Sequence, residues 1–389
     1  MLTAITRAGL CARLGATQSV GSDLRCQLIY VSQQLINLGA RGLRHAAEEV
    51  LERCRGHVAE GCVVNTTGTQ AAQPPRRVVV TRIVTLAISV LTTALAALYY
   101  IAPATVLPYL KKANRYSARL TEETTQVQTH RVHYLAGGSG SPVLLLHGLF
   151  AEKDHWVDFV RAFGGGHHFI IPDLPGFGQS GRNYGESYRY EDQVDRLVTF
   201  LDLIGVERVH VAGNSMGGTL AALLAVRYPE RVVSVAFIGA PHGIQTPVRS
   251  DLDMQIDGGA TSPLVPRTVA QYEAMLEFIF HSRPFLPYPQ LHVAQKAALR
   301  DAESNASLWN GQLKERYLLD LHVRELQRPL LVLWGRHDRL FDVSGADVIR
   351  HHLPQSKIIV MDDVGHLPML EASGASAQAY RHFLATYAR

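Results

Sequence analysis

The chain has 389 residues, 47% of them apolar and 19% charged, with a formal net charge of only +4. So small an excess, spread without basic blocks, excludes the electrostatic footprint of a nucleic-acid binder. The four cysteines, Cys11, Cys26, Cys54 and Cys62, all precede residue 63 and lack the paired short spacing of a zinc site, so the rest of the chain needs neither disulfide nor thiolate.

Residues 1–77 carry nine arginines and no lysine. The first 22 residues contain no acid and hold Arg7 and Arg13, a composition shared with transit peptides. A loose helical period runs through Leu35, Leu38, Val50, Leu51 and Cys54, with nothing there that suggests chemistry. No methionine falls between Met1 and Met216. Residues 1–77 are read as a poorly structured extension, with translation expected to start near Val78 or Val80 and Thr81-Arg82 as a short basic lead. From Ile83 to Ala102 the chain is uncharged and apolar and closes on Tyr99-Tyr100. That length spans a bilayer, and paired tyrosines suit its interface. Ala94-Leu95-Ala96 resembles a cleavage site, but apolar sequence continues to Ile101, which favours an uncleaved anchor over residues 78–102. Arg76, Arg77 and Arg82 flank one end and Lys111, Lys112, Arg115 and Arg119 the other, so charge leaves the orientation open. Residues 103–120 read as a linker.

From Thr121 onward short apolar runs alternate with helical segments, the pattern of a mostly parallel sheet flanked by helices. Strands are expected at Gln126–Tyr134, Val143–Leu146, His168–Ile171, Val209–Ala212, Val232–Ile238, Leu330–Leu333 and Lys357–Met361. Helices are expected between them at Lys153–Phe163, Tyr190–Leu203, Met216–Tyr228, Gly345–Leu353 and Ser373–Tyr387. The alternation breaks at about residues 241–323, a stretch too long for a plain loop, with helical pieces at Thr268–Phe280 and Gln290–Arg300. It reads as a helical cap inserted over the carboxyl edge of the sheet.

Gly213-Asn214-Ser215-Met216-Gly217 stands between the strand ending at Ala212 and the helix opening at Met216. G-x-S-x-G at such a junction is a nucleophile elbow: the serine takes a strained backbone conformation, and its neighbours two residues away must be glycine. A serine nucleophile needs a base, and the base an orienting acid. In a sheet of this type both belong at carboxyl ends of later strands. Asp338 closes the turn after the strand Leu330–Leu333, and His366 the turn after Lys357–Met361. Asp342 and Asp347 fall toward the next helix, and Asp362 and Asp363 crowd His366 along the chain, so Asp338 is the expected acid. Oxyanion donors are expected from the amides of Met216 and Leu149, the latter following Gly148, with Phe150 next in line. His147 and Asp173 read as structural. There is no H-E-x-x-H or comparable ligand set, so neither metal nor cofactor is expected.

These segments carry a resemblance. His147-Gly148, Asp173-Leu174-Pro175-Gly176-Phe177-Gly178, the elbow, Trp334-Gly335-Arg336-His337-Asp338 and Gly365-His366 occur in the order of the α/β-hydrolase superfamily. More narrowly, Asp342-Val343-Ser344-Gly345-Ala346-Asp347, the run Asp363 to Glu371, Ser262-Pro263-Leu264-Val265-Pro266 and the N-terminal anchor make the chain resemble family V bacterial lipases and membrane-anchored monoacylglycerol lipases. The resemblance covers residues 83–389. It implies Ser215, Asp338 and His366 as a triad, Leu149 and Met216 as oxyanion donors, and no cofactor. It also implies hydrolysis of acylglycerol esters through an acyl-enzyme by a membrane-anchored chain, here taken as a monomer. The alternative activity is carbon–carbon bond hydrolysis of aromatic ring-cleavage products, whose enzymes share the elbow. Those tend to carry H-G-x-G-P-G and a Trp after the histidine, where this chain has His147-Gly148-Leu149-Phe150 and His366-Leu367. A non-catalytic role for the fold is disfavoured because all three triad residues are present.

Overall fold

A computed structural model describes residues 76–386 apart from 184, 260 and 261. Residues 1–75 of the expected extension, with its cysteines, lie outside the described residues, whereas Arg76, Arg77 and the expected start near Val78 or Val80 fall within the first described helix. The chain divides into a unit up to Leu95 and a larger one from Ala96 onward.

Helix α1 (Arg76–Ile101) contains Val84–Ile101, 18 residues long and apolar enough to cross a membrane, with its side chains exposed. Its threonines keep their hydroxyls inside the helix: Thr85 donates to the Thr81 carbonyl (2.9 Å), Thr92 to Ile88 (3.0 Å) and Thr93 to Ser89 (2.8 Å). Returning a hydroxyl to the preceding turn leaves it no need of water. The stretch expected as a linker is instead helix α2 (Pro103–Ser117), opened by a proline in its first turn. Lys111 and Arg115, four residues apart and so on one helical face, meet acids about 40 residues further along the chain. Lys111 Nζ donates to Glu152 (2.6 Å), and Arg115 makes a two-pronged bridge to Asp154 (2.6 and 2.7 Å).

The sheet begins with a hairpin of β1 (Thr121–Val127) and β2 (His130–Gly138). One continuous strand was expected over Gln126–Tyr134. The chain reverses at Gln128, whose φ of 52° lies in the left-handed region without any glycine or asparagine to announce it. Next come β3 (Ser141–Leu146), α3 (Val157–Phe163), β4 (His167–Pro172), α4 (Tyr190–Leu203), β5 (Val209–Ser215), α5 (Met216–Arg227) and β6 (Val232–Pro241). Five helices follow before the next strand: α6 (Asp251–Asp257), α7 (Val269–Ile279), α8 (Tyr288–Arg300), α9 (Ala302–Leu313) and α10 (Leu318–His322). The chain closes with β7 (Leu330–Gly335), α11 (Gly345–His352), β8 (Lys357–Met361), α12 (Pro368–Glu371) and α13 (Ser373–Thr386).

Strand order is β1-β2-β4-β3-β5-β6-β7-β8; pairings are antiparallel at β1–β2 and β2–β4 and parallel from there on. The central strands are buried on both faces, as parallel strands are. Alternate side chains of β3 serve two cores. Val143 and Leu145 pack with Trp156, Phe159 and Phe163 on one side, whereas Leu144 and Leu146 pack with Leu220 and Leu224 on the other. Between β6 and β7 the cap's own smaller core gathers Leu252, Val265, Phe278 and Trp309. Helices α6 and α7 each start in a capping box, Ser250 with Asp253 and Thr268 with Gln271. Under the sheet edge Lys153 is wholly buried. Its ammonium donates to Asp173 (2.7 Å), whose other oxygen accepts the Lys153 backbone N–H (2.7 Å). Asp173 is therefore a structural counter-ion to this lysine.

Candidate active site

The elbow forms where β5 runs into α5. Ser215 has φ 54° and ψ −120°, a conformation costly for a residue with a side chain. Its neighbours explain how the strain is held. A Cβ on Gly213 would overlap the Gly217 carbonyl, and one on Gly217 would overlap the carbonyls of Leu146 and His147. Both positions therefore demand glycine because backbone passes directly against them. Asn214, buried beneath the elbow, donates from Nδ2 to the carbonyls of Ile238 (2.9 Å) and His366 (3.0 Å). The serine turn is thus tied to the loop that carries the histidine.

His366 Nδ1 lies 2.8 Å from Asp338 Oδ2, and both residues are buried. Asp338 Oδ1 accepts the backbone N–H groups of Leu340 (2.9 Å) and Phe341 (3.0 Å). With one oxygen fully engaged, the other is aimed at the imidazole, which then carries its proton on Nδ1 and presents Nε2 as a base. Ser215, Asp338 and His366 all stand at carboxyl ends of parallel strands or in the turns just beyond. Among the described residues the Ser215 hydroxyl makes no hydrogen bond to the imidazole. Such bonds are commonly long without substrate and tighten when it binds. Of the rival acids, Asp362 pairs with Arg336 (2.6 Å) and Asp347 with Arg350, and Asp342 Oδ1 accepts the Ser344 N–H (2.9 Å).

Met216 is the first residue of α5, so its N–H is among those that a helix leaves free at its start. The loop after β3 reaches the same place. A Cβ on Gly148 would stand 3.1 Å from both the Ser215 Cβ and the Asn214 Oδ1. Leu149 follows, and Phe150 turns the chain at φ 59°. Among the described residues the Leu149 N–H finds no backbone acceptor. His147 points away from this chemistry. Its Nδ1 donates to the Gly148 carbonyl (2.8 Å) and its Nε2 accepts the Leu174 N–H (3.0 Å), which holds two loops together.

Two residues that carried no role in the sequence stand close to the site. The His242 N–H donates to the Ser215 carbonyl (3.1 Å), and its Nδ1 is 2.7 Å from the Tyr190 hydroxyl. Burial, reinforced by nearby Arg316 and His366, holds the His242 imidazole down to about 4, so it stays neutral beside the site at physiological pH. Glu371 is the second. Its Oε2 accepts the N–H groups of Gly365, His281 and Ser282 (2.9 Å each), and its Oε1 accepts that of Leu367 (3.0 Å). One carboxylate therefore brackets His366 and fastens the end of α7 to it, helped by the His366 N–H donating to the Ile279 carbonyl (3.0 Å). Among the described residues one set of side chains is spaced to ligate a metal, His281, His337 and Asp363, and it lies outside the Ser215 elbow.

Comparisons with known proteins show the family of the fold. The family described as alpha/beta hydrolase fold matches residues 141–373. Lipase 1 of Psychrobacter immobilis is 31% identical over 253 residues, which cover 63% of this chain and 77% of that protein. Monoacylglycerol lipase abhd6-B of Xenopus laevis is 28% identical over 259 residues, 64% of this chain and 77% of its own. Among solved structures, a membrane phospholipase A described as a bacterial virulence factor aligns with a TM-score of 0.71 at 35% identity, over 79% of this chain and 99% of its own.

Proposed function

The chain belongs to the α/β-hydrolase family, and on that premise we propose that it is a serine esterase acting on acylglycerols at a membrane surface. The observation that carries this reading is the His366–Asp338 pair at 2.8 Å, tied through Asn214 to a strained Ser215. Ser215 attacks the acyl carbonyl while His366 takes its proton at Nε2. Asp338 keeps the imidazole in the required tautomer and stabilises it once charged. The negative charge on the carbonyl oxygen is met by the N–H groups of Met216 and Leu149. His366 then protonates the departing glycerol oxygen, and water, activated by the same histidine, releases the fatty acid.

Two further features support a lipid ester over a soluble one. The apolar stretch Val84–Ile101 is long enough to anchor the chain in a bilayer. The cap displays Phe285, 87% exposed, together with exposed Val269 and Met254, apolar surface of the kind that meets lipid. An assay panel of nitrophenyl esters, mono-, di- and triacylglycerols and diacyl phospholipids tests the reading, with Ser215→Ala as blank. Hydrolysis of acylglycerols dependent on Ser215 is the expected result. Turnover of soluble short-chain esters alone would overturn the lipid assignment, and activity surviving in Ser215→Ala would overturn the nucleophile. Membrane attachment has its own test: the full chain should sediment with membranes and resist carbonate extraction. A chain starting at Pro103, which retains α2 and its ion pairs, should be soluble and still cleave nitrophenyl esters.

A further inference from the structure

At the mouth between cap and sheet three metal-ligating side chains converge from positions far apart in sequence. His281 comes two residues after α7, His337 two residues after β7, and Asp363 two residues after β8. One ligand atom from each lies within 4.8 Å of the others. The imidazoles of His281 and His337 are stacked, with centroids 3.9 Å apart and planes 13° apart. All three side chains are exposed, so the two rings are free to leave this stack and turn their nitrogens toward one ion, at the separations of about 3.3 Å that a tetrahedral zinc ion with bonds of about 2.0–2.1 Å demands.

Their backbones are already held in place. The His281 N–H is fixed on Glu371 (2.9 Å), the His337 N–H donates to the Val364 carbonyl (3.0 Å), and the Arg336 N–H donates to the Met361 carbonyl (2.8 Å). The last two bonds grip the Asp363 turn on both sides. Neighbouring cations are engaged elsewhere: Arg336 pairs with Asp362 and Arg339 with Asp251, each at 2.6 Å. A polar cavity of about 360 Å³ opens beside His281 and His337, where the carboxylates Asp251, Glu277, Asp338 and Asp342 outnumber the cations Arg249 and Arg339, and Arg249 pairs with Asp257. The cavity leaves room for a water as fourth ligand.

We propose that His281, His337 and Asp363 form a divalent-cation site, suited to Zn²⁺, that staples the cap to the two loops carrying Asp338 and His366. Two imidazoles and one carboxylate select a borderline ion such as Zn²⁺ over Mg²⁺ or Ca²⁺, which prefer all-oxygen shells. The site does not depend on which residue is the nucleophile or on the identity of the ester. Bound metal closes a ring of coordination bonds across three segments, so it resists lifting of the cap segment at Phe280–Ser282.

Calorimetric titration of ZnCl₂ into the untagged, detergent-solubilised full chain tests the site. Saturable binding of one ion with micromolar affinity is expected, together with a rise in Tm and no response to MgCl₂ at the same concentration. His281→Asn and His337→Asn should each weaken binding by at least the roughly 10- to 100-fold that follows when a group merely supporting a ligand is lost. Asp363→Asn, at an exposed position, should fold as the wild type and lose the Zn²⁺-induced rise in Tm. Co²⁺ should give the visible absorption of a four-coordinate ion in the wild type but not in His281→Asn or Asp363→Asn. Changing His351, exposed, and its half-buried neighbour His352 to Asn serves as the control and should leave Zn²⁺ binding unaltered. Equal affinity in the wild type and in Asp363→Asn, loss of binding only in the His351/His352 variant, or no saturable binding at all would overturn the proposal.

Discussion

The carboxyl edge of the sheet and the cap that faces it are built on different principles. At the edge each side chain proposed to act is set by backbone within a few residues of it: Gly213 and Gly217 permit Ser215 its φ of 54°, and the Leu340 and Phe341 amides aim Asp338. In the cap, position depends on contacts that cross the chain, such as Glu371 reaching His281 some 90 residues away. Chemistry is written in short motifs because strain and hydrogen-bond geometry must be exact to a fraction of an ångström, whereas the cap tolerates many sequences that fill the same space. Changes at the edge should therefore abolish turnover while leaving the fold, and changes at the joint with the cap should loosen the fold while leaving turnover partly intact.

Ser215→Ala tests the edge most severely. It should lower kcat by about 10⁵-fold or more on a soluble nitrophenyl ester, with Tm little changed because alanine keeps the Cβ and so the same backbone strain. A loss smaller than tenfold would put the nucleophile elsewhere. Asp338→Asn comes next, with a kcat reduction of about 10³- to 10⁴-fold at neutral pH, since the amide favours the wrong tautomer of His366. Parallel measurement of Asp363→Asn sharpens the comparison, because that carboxylate lies outside the pair and its loss should leave kcat within a few-fold in metal-free buffer.

A pH titration of stability probes the sheet beneath the edge. Burial holds both His210 and His242 down to about 4, below their ordinary 6.5. The unfolded chain therefore takes up protons that the folded chain refuses as pH falls through 6.5. Stability contributed by these neutral rings is complete above pH 6.5 and declines by about 1.4 kcal/mol per pH unit for each histidine until pH 4. Denaturant titrations between pH 7 and 4 should show that slope, and His210→Asn should flatten part of it. Glu371→Gln should have a smaller effect than the edge substitutions. Replacing one acceptor oxygen by an amide leaves backbone donors at the cap joint without a partner, for about 1–3 kcal/mol of stability. Urea midpoints should fall, while kcat on small esters should change far less than in Asp338→Asn. A kcat loss equal to that of Asp338→Asn would erase the distinction between edge and cap.

Legibility in the sequence follows the same division. The parallel strands, the elbow and the order of Ser215, Asp338 and His366 could be read because each is a local pattern: an apolar run, then a turn whose residue types have few uses. The β1–β2 reversal was hidden because Gln128 and Thr129 are not turn-forming residues, and only its φ of 52° reveals the turn. Helix α2 was hidden because Pro103 and Pro108 are residues a helix interior disfavours and because its ion pairs to Glu152 and Asp154 follow no local rule. Glu371 stood inside a recognisable motif, but its four donors come from two segments. His242 and the cluster of His281, His337 and Asp363 depend on three-dimensional proximity across the cap, which periodicity and spacing do not encode.

The buried Lys153–Asp173 pair carries a consequence for descent. Replacing Lys153 alone strands the Asp173 carboxylate in the interior, a cost of about 3–5 kcal/mol, and replacing Asp173 alone leaves the buried ammonium with only the part-exposed Glu122, at 3.2 Å, as counter-ion. Replacing both with apolar residues of matching volume is often neutral or favourable. The two positions are thus separated from any alternative by an intermediate that folds poorly. A lineage that acquired the pair tends to keep it, whatever substrate its cap comes to accept, because mutation arrives one residue at a time.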